Sequence, residues 1–152
     1  MRSSGLKDSG WVVVQIVLLA AVLFSPVVGP LPGLKPFSVL GWLLGAAGLG
    51  LAAWATWQLQ RHGSLTPLPS PRSGARLLTT GCYRRVRHPV YSGLLLWALG
   101  TALIQASAGH FGWVLLLGLF LNAKAAHEER LLSAQYPEYA AYAARTGRFV
   151  PR

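Results

Sequence analysis

Acidic residues are scarce in this chain: Asp8, Glu128, Glu129 and Glu138 are the only four among 152 residues, against fourteen Lys and Arg. Charged residues of both signs reach 12%, where a soluble domain carries about a quarter, and 53% of the residues are hydrophobic. That is too little charge to cover the surface of a water-soluble domain. A single cysteine, Cys82, excludes an internal disulfide and a four-cysteine zinc site. Flanked by Gly81 and Tyr83 with no motif of its own, it reads as a bystander thiol rather than a nucleophile. The net charge of +10 suits either nucleic acid or an anionic membrane surface. Long apolar runs strung between the basic residues argue against nucleic acid and for the membrane.

A helix needs about 20 mostly apolar residues to cross the hydrocarbon core. Four stretches qualify: 11–29, broken only by Gln15, Ser25 and Pro26; 37–57, without a charge; 90–106; and 111–134, apolar at first and then helical in pattern through Lys124 and Glu128. The first is long for a signal sequence and lacks a small-x-small cleavage site, so it reads as a retained span. Short connections make spans one and two, and spans three and four, antiparallel hairpins whose tips face one side. Thirteen of the fourteen Lys and Arg then fall on the opposite side, leaving Lys35 alone at the tips. By the positive-inside rule both termini and the middle loop, 58–89, are cytoplasmic, as in a multi-pass protein of a bacterial inner membrane. Gly41 and Gly45 form a G-x-x-x-G pair that permits close approach of another helix. The dinucleotide-like pattern at Gly48, Gly50 and Ala53 has no strand before it and lies in a span, so it carries no cofactor reading.

Polar chemistry concentrates in two places. The middle loop runs through Thr66-Pro67-Leu68-Pro69, which favours an extended path, to Gly81-Cys82-Tyr83-Arg84-Arg85-Val86-Arg87-His88-Pro89-Val90-Tyr91. Pro89 suits a first helical turn, which puts Arg87 and His88 beside unpaired N–H groups that can hold a carboxylate or phosphate. Arg84 and Arg85 read as topogenic charge. At the end of span four, Lys124, His127 and Glu128 share one helix face, either as a cavity-facing cluster or as a Lys124–Glu128 surface pair. His127 and Glu128 without a second spaced histidine do not make a metal site. A short helix over 137–146 carries Tyr139 and Tyr142, and with Tyr136 just before it these recur at spacing three as interfacial anchors.

Taken together, Thr66-Pro67-x-Pro69, Leu77-Leu78-Thr79-Thr80-Gly81-Cys82-Tyr83, Arg87-His88-Pro89-Val90-Tyr91, then Glu128-Glu129-x-x-Leu132 and Tyr139-x-x-Tyr142 resemble the isoprenylcysteine carboxyl methyltransferase family and its bacterial relatives. The likeness covers 66–151 and is most specific in the Arg-His-Pro-x-Tyr and Glu-Glu motifs about forty residues apart. The four spans make this an all-α integral membrane protein, a single membrane domain over 1–152 with about four transmembrane helices, and the resemblance implies a cytoplasmic cofactor pocket formed by the long middle loop and the C-terminal region. It also implies S-adenosylmethionine as cofactor, held by Ala75, Arg76, Leu77, Leu78, Tyr83, His88, Pro89, Val90, Tyr91 and Glu128. The resemblance also places Lys124 against the acceptor, expected to be a lipophilic small molecule that enters from the bilayer. Family members acting on prenylcysteine carry arginine at that position, and lysine cannot reproduce its bidentate grip on a carboxylate. Two other classes share parts of this pattern: an NADPH-dependent membrane reductase related to sterol reductases, and a non-enzymatic scaffold or lipid-binding protein.

Overall fold

The computed structural model describes residues 3–63 and 77–152, with side chains from residue 9 onward. Among the described residues five α-helices follow one another: α1 (Ser3–Phe24), α2 (Ser38–Arg61), α3 (Pro89–Gln105), α4 (Ala108–Gln135) and α5 (Tyr139–Arg145). Short 3-10 turns precede α2 (Pro32–Phe37) and α3 (Gly81–Arg84). The first helix stops at Phe24, five residues short of the apolar run, because Pro26 cannot continue it and Gly29 turns left-handed at φ 61°. The last helix begins at Tyr139, later than its sequence pattern suggests, with Pro137 in the turn before it.

Small residues decide how α2 and α3 meet. A Cβ built on Gly93 would lie 2.5 Å from the Gly48 carbonyl oxygen and 2.7 Å from the Ala52 nitrogen, and one on Gly41 would lie 2.7 Å from the Gly100 carbonyl oxygen. The helix backbones therefore touch along Gly41, Gly45, Gly48 and Ala52 on one side and Gly93 and Gly100 on the other, a contact only small residues allow. Gly45 itself has open space at its own Cβ; its role is to receive Gly100, whose Cβ would press on the Gly45 nitrogen at 2.6 Å. On the far side of α3, Val22 of α1, Tyr91 and Ala98 of α3 and Leu117, Leu121 and Ala125 of α4 form the buried core.

The two helical hairpins are tied together at their tips. Leu31 N–H donates to the Ala106 carbonyl at 2.6 Å, Ala108 N–H to Gly29 at 2.9 Å and Gly109 N–H to Val28 at 3.0 Å. Ala106 adopts φ 45°, which lets α3 turn into α4 within two residues. The outer surface is apolar: Ile16, Val17, Val39, Trp42, Leu43, Leu115 and Leu119 are exposed on α1, α2 and α4. So continuous an apolar surface suits lipid rather than water. Among the described residues one helical stretch, Pro32–Arg61, is by length and composition sufficient to cross a bilayer; Ser9–Phe24 and Pro89–Gln105 are shorter apolar helices. With 17 residues, α3 reaches only about 25 Å of the ~30 Å hydrocarbon core.

Candidate active site

At the end of the bundle opposite the hairpin tips, the chain leaves its second 3-10 turn and enters α3 through Arg87, His88 and Pro89. This short segment is extended and pairs with the C-terminal tail. Gly147 N–H donates to Arg85 at 3.0 Å, Arg87 N–H to Gly147 at 2.8 Å and His88 N–H to Arg148 at 3.1 Å, while Ser92 Oγ donates to the Phe149 carbonyl at 2.6 Å. The Arg87 guanidinium holds the tail again through the carbonyls of Ala143, at 2.8 Å, and Thr146. Pro89 at the first helical position has no N–H of its own, and the N–H groups that follow in the first turn of α3 have no intrahelical acceptors at this spot.

Two adjacent glutamates at the end of α4 face this segment and have different surroundings. Glu129 is fully engaged: Arg87 Nε reaches its Oε1 at 3.0 Å, His88 Nε2 lies 3.3 Å from the same oxygen, and Arg148 donates from Nε at 3.1 Å and from its terminal nitrogen to Oε2 at 2.7 Å. Arg148 also donates to Asn122 Oδ1 at 2.8 Å. Glu128 accepts one hydrogen bond, from the Tyr91 hydroxyl at 2.6 Å, and its other oxygen lies 3.5 Å from His88 Nδ1. A carboxylate offers about four acceptor positions, so Glu128 keeps capacity that Glu129 has spent.

His88 bridges the pair with both ring nitrogens, which requires both to carry protons. Burial of the ring disfavours that charge, and the hydrogen bonds and charges of Glu128 and Glu129 overcome it, so its pKa rises from the ordinary 6.5. The ring stacks on Tyr91 with centroids 5.4 Å apart and Phe149 lies 6.2 Å away on another side. Lys124 Nζ also lies over the Tyr91 ring, 5.4 Å from its centroid, and the residue is 3% exposed.

The structure thus gathers His88, Tyr91, Glu128 and Lys124 around one point, with Pro89 and Val90 forming the helix entrance. Leu78 and Tyr83 belong to a neighbouring cluster against Ala55 of α2, which Val90 joins to the site. Tyr83 donates to the Ala55 carbonyl at 3.4 Å and receives Tyr142 on its own carbonyl at 2.7 Å. Burial pushes the Tyr142 phenol up to about 12, so it stays a donor. Leu77 is half-buried, and Ala75 and Arg76 lie outside the described residues.

Several sequence expectations change here. Lys124 and Glu128 do not form a surface pair: Lys124 is buried and donates to Gln15 Oε1 of α1 at 2.6 Å. His127 turns from Glu128 to stack on Trp11, at 5.6 Å between centroids. Tyr139 and Tyr142 are buried, edge to face at 5.9 Å, rather than interfacial anchors. Cys82 donates to Gln58 Oε1 at 3.1 Å, and burial raises its thiol pKa, away from nucleophilic character. Arg148 and Gln15 are structural members of the site that the sequence motifs pass over, while Arg87 and Glu129 lie in those motifs and pair with each other. The only sequence signal for Gln15 is its polarity within an apolar helix.

A family model described as phospholipid methyltransferase matches residues 37–139. A probable protein-S-isoprenylcysteine O-methyltransferase of Oryza sativa subsp. indica is 37% identical over 70 residues, which is 43% of this chain and 37% of that protein. The cobalt-zinc-cadmium resistance protein CzcN of Cupriavidus metallidurans is 38% identical over 84 residues, or 55% of this chain and 39% of that protein. The chain therefore spans well under half the length of these curated relatives. Among solved structures, the eukaryotic intramembrane Ras methyltransferase ICMT superposes with a TM-score of 0.67 at 23% identity, covering 99% of this chain and 54% of that one, a likeness of integral-membrane fold.

Proposed function

The chain belongs to the phospholipid methyltransferase family, and from that premise we propose that it is an integral-membrane methyltransferase using S-adenosylmethionine to methylate a lipophilic acceptor. The observation that carries the reading is the half-satisfied Glu128 carboxylate, fixed by Tyr91 and His88 beside the open N-terminus of α3. Isoprenylcysteine methyltransferases among the relatives point to a prenylated, carboxyl-bearing acceptor. The bundle carries four long helices with the charged end in the cytoplasm, and the acceptor enters from the bilayer.

S-adenosylmethionine supplies an activated methyl group on a sulfonium, and in-line transfer from it needs alignment more than covalent catalysis. The donor set of the site fits such a group. Glu128 would accept hydrogen bonds from the cofactor's hydroxyl or amine groups, and the first-turn N–H groups of α3, at Val90 and Tyr91, would receive its carboxylate at the positive end of the helix. Tyr91 fixes one Glu128 oxygen, and His88 fixes the other through its Nδ1–H. Leu78 and Tyr83 extend the wall toward α2, and the family resemblance adds Leu77, with Ala75 and Arg76 outside the described residues, to the cofactor side. Lys124, over the Tyr91 ring, faces the acceptor. A carboxylate acceptor is already ionised at neutral pH, so no general base is required.

Detergent-solubilised protein should gain thermal stability with S-adenosylmethionine or its demethylated product, and not with NADPH. Glu128→Ala should lose most of that ligand-induced gain and lower the ligand-free unfolding temperature less than Glu129→Ala does, since it strands only the Tyr91 hydroxyl and one His88 nitrogen. Glu129→Ala should lower the ligand-free unfolding temperature itself, because it strands two arginines and a histidine. Arg84→Ala, on an exposed position, should behave as wild type. Stabilisation by NADPH alone would move the protein to the reductase class.

A further inference from the structure

Gln15 is the one polar side chain among the apolar residues between Trp11 and Phe24 of α1, and it points inward. Its Oε1 accepts from Lys124 Nζ at 2.6 Å, where Lys124 is 3% exposed. One turn earlier on the same face, Trp11 stacks on His127 and lies 5.5 Å from Phe120. Among the described residues, the carboxylate nearest Lys124 along α4 is Glu128, one turn on and already engaged by Tyr91 and His88. A buried ammonium is ordinarily neutralised by an ion-pair partner. Here the hydrogen-bond partner is a neutral amide, which fixes the amine without cancelling its charge. This face belongs to α1, which lies N-terminal to the family-matched residues 37–139.

We propose that Gln15 is a positioning residue for the acceptor: it holds the Lys124 ammonium in place over the Tyr91 ring while leaving its charge available, so that α1 sets the preference for an anionic acceptor headgroup. The proposal rests on the methyltransferase reading of the same site. Glutamate is nearly isosteric with glutamine, so Gln15→Glu keeps the geometry and adds the neutralising charge.

The test uses full-length protein in detergent, with N-acetyl-S-farnesylcysteine as the anionic probe and its methyl ester as the neutral one. Wild type should bind the acid about tenfold or more tightly than the ester, as expected of a desolvated charge-assisted contact. Gln15→Glu should bring acid binding down to the level of the ester and raise the KM for the acid, while S-adenosylmethionine affinity stays within about threefold of wild type. Unchanged cofactor affinity also certifies that the variant is folded. Gln15→Met, which keeps the volume and loses the amide, should raise the KM for the acid several-fold with the cofactor end again intact. Equal binding of acid and ester by wild type, or a full acid preference in Gln15→Glu, overturns the proposal. A parallel loss of cofactor binding in both variants would make Gln15 a structural residue only and overturn it equally. Failure of wild type to bind S-adenosylmethionine would instead remove the methyltransferase reading.

Discussion

The neighbouring carboxylates Glu128 and Glu129 have separate tasks because they sit about 100° apart on the helix and meet different partners. Glu129 gathers Arg87, His88 and Arg148, and so ties α4 to the α3 entrance and to the tail. Glu128 keeps open acceptor positions. His88 links them, and its charge follows pH in a defined direction. Its folded pKa is raised above 6.5, so its contribution to stability is fully present below the ordinary value and is lost as pH climbs through the higher folded one. The unfolding temperature in detergent should therefore fall as the buffer is raised from pH 6.5, and His88→Gln should flatten that dependence. An equally steep profile in the variant would remove His88 as its source. The Glu129 hydrogen bond raises the Arg148 pKa further, so Arg148 adds no slope of its own over this range.

Among the elements, α2 and α3 form the platform on which the site stands, because Val90 and Tyr83 transmit the position of the α3 entrance to Ala55 of α2. Backbone-to-backbone contact leaves no flexible side chain to yield. Gly93→Val should separate the two helices and cost more than about 3 kcal/mol, at or beyond the upper end of ordinary overpacking. Gly50→Ala, with nothing within 4 Å of its Cβ, should be neutral or stabilise by about 0.5–1 kcal/mol. Thermal unfolding of the two variants side by side checks the claim. A similar effect of both would mean that the close approach at Gly93 relaxes freely. The G-x-x-x-G pair in the sequence identifies α2 as a close-packing helix; it does not identify Gly93 and Gly100 as the partners, since their seven-residue spacing follows from the length of the shared contact.

Across the whole molecule, charge and hydrogen bonding divide the bundle into two ends. The tips are joined by backbone bonds between 28–31 and 106–109 and carry Lys35 as their one Lys or Arg, while the arginines of the site crowd the other end. A reporter fused after Arg152 should lie in the cytoplasm, and one inserted at Gly33 should lie on the opposite side. Both reporters on one side would contradict the four-helix topology.

Composition and periodicity by themselves determine much of this protein. Scarce charge, apolar runs and the one-sided distribution of arginine specify a helical membrane bundle with a polar end, because each is a property of local sequence against lipid and water. The family resemblance likewise brings out His88, Tyr91 and Glu128, since the motifs that carry it are compact. Only the tertiary structure decides which glutamate is bound up and which is open, that the tail clamps the α3 entrance, and that Lys124 answers to Gln15 rather than Glu128. Those outcomes depend on side chains that meet across 19 to 109 residues of sequence. The partner a buried charge chooses is set by which helix faces it, and no local pattern records that.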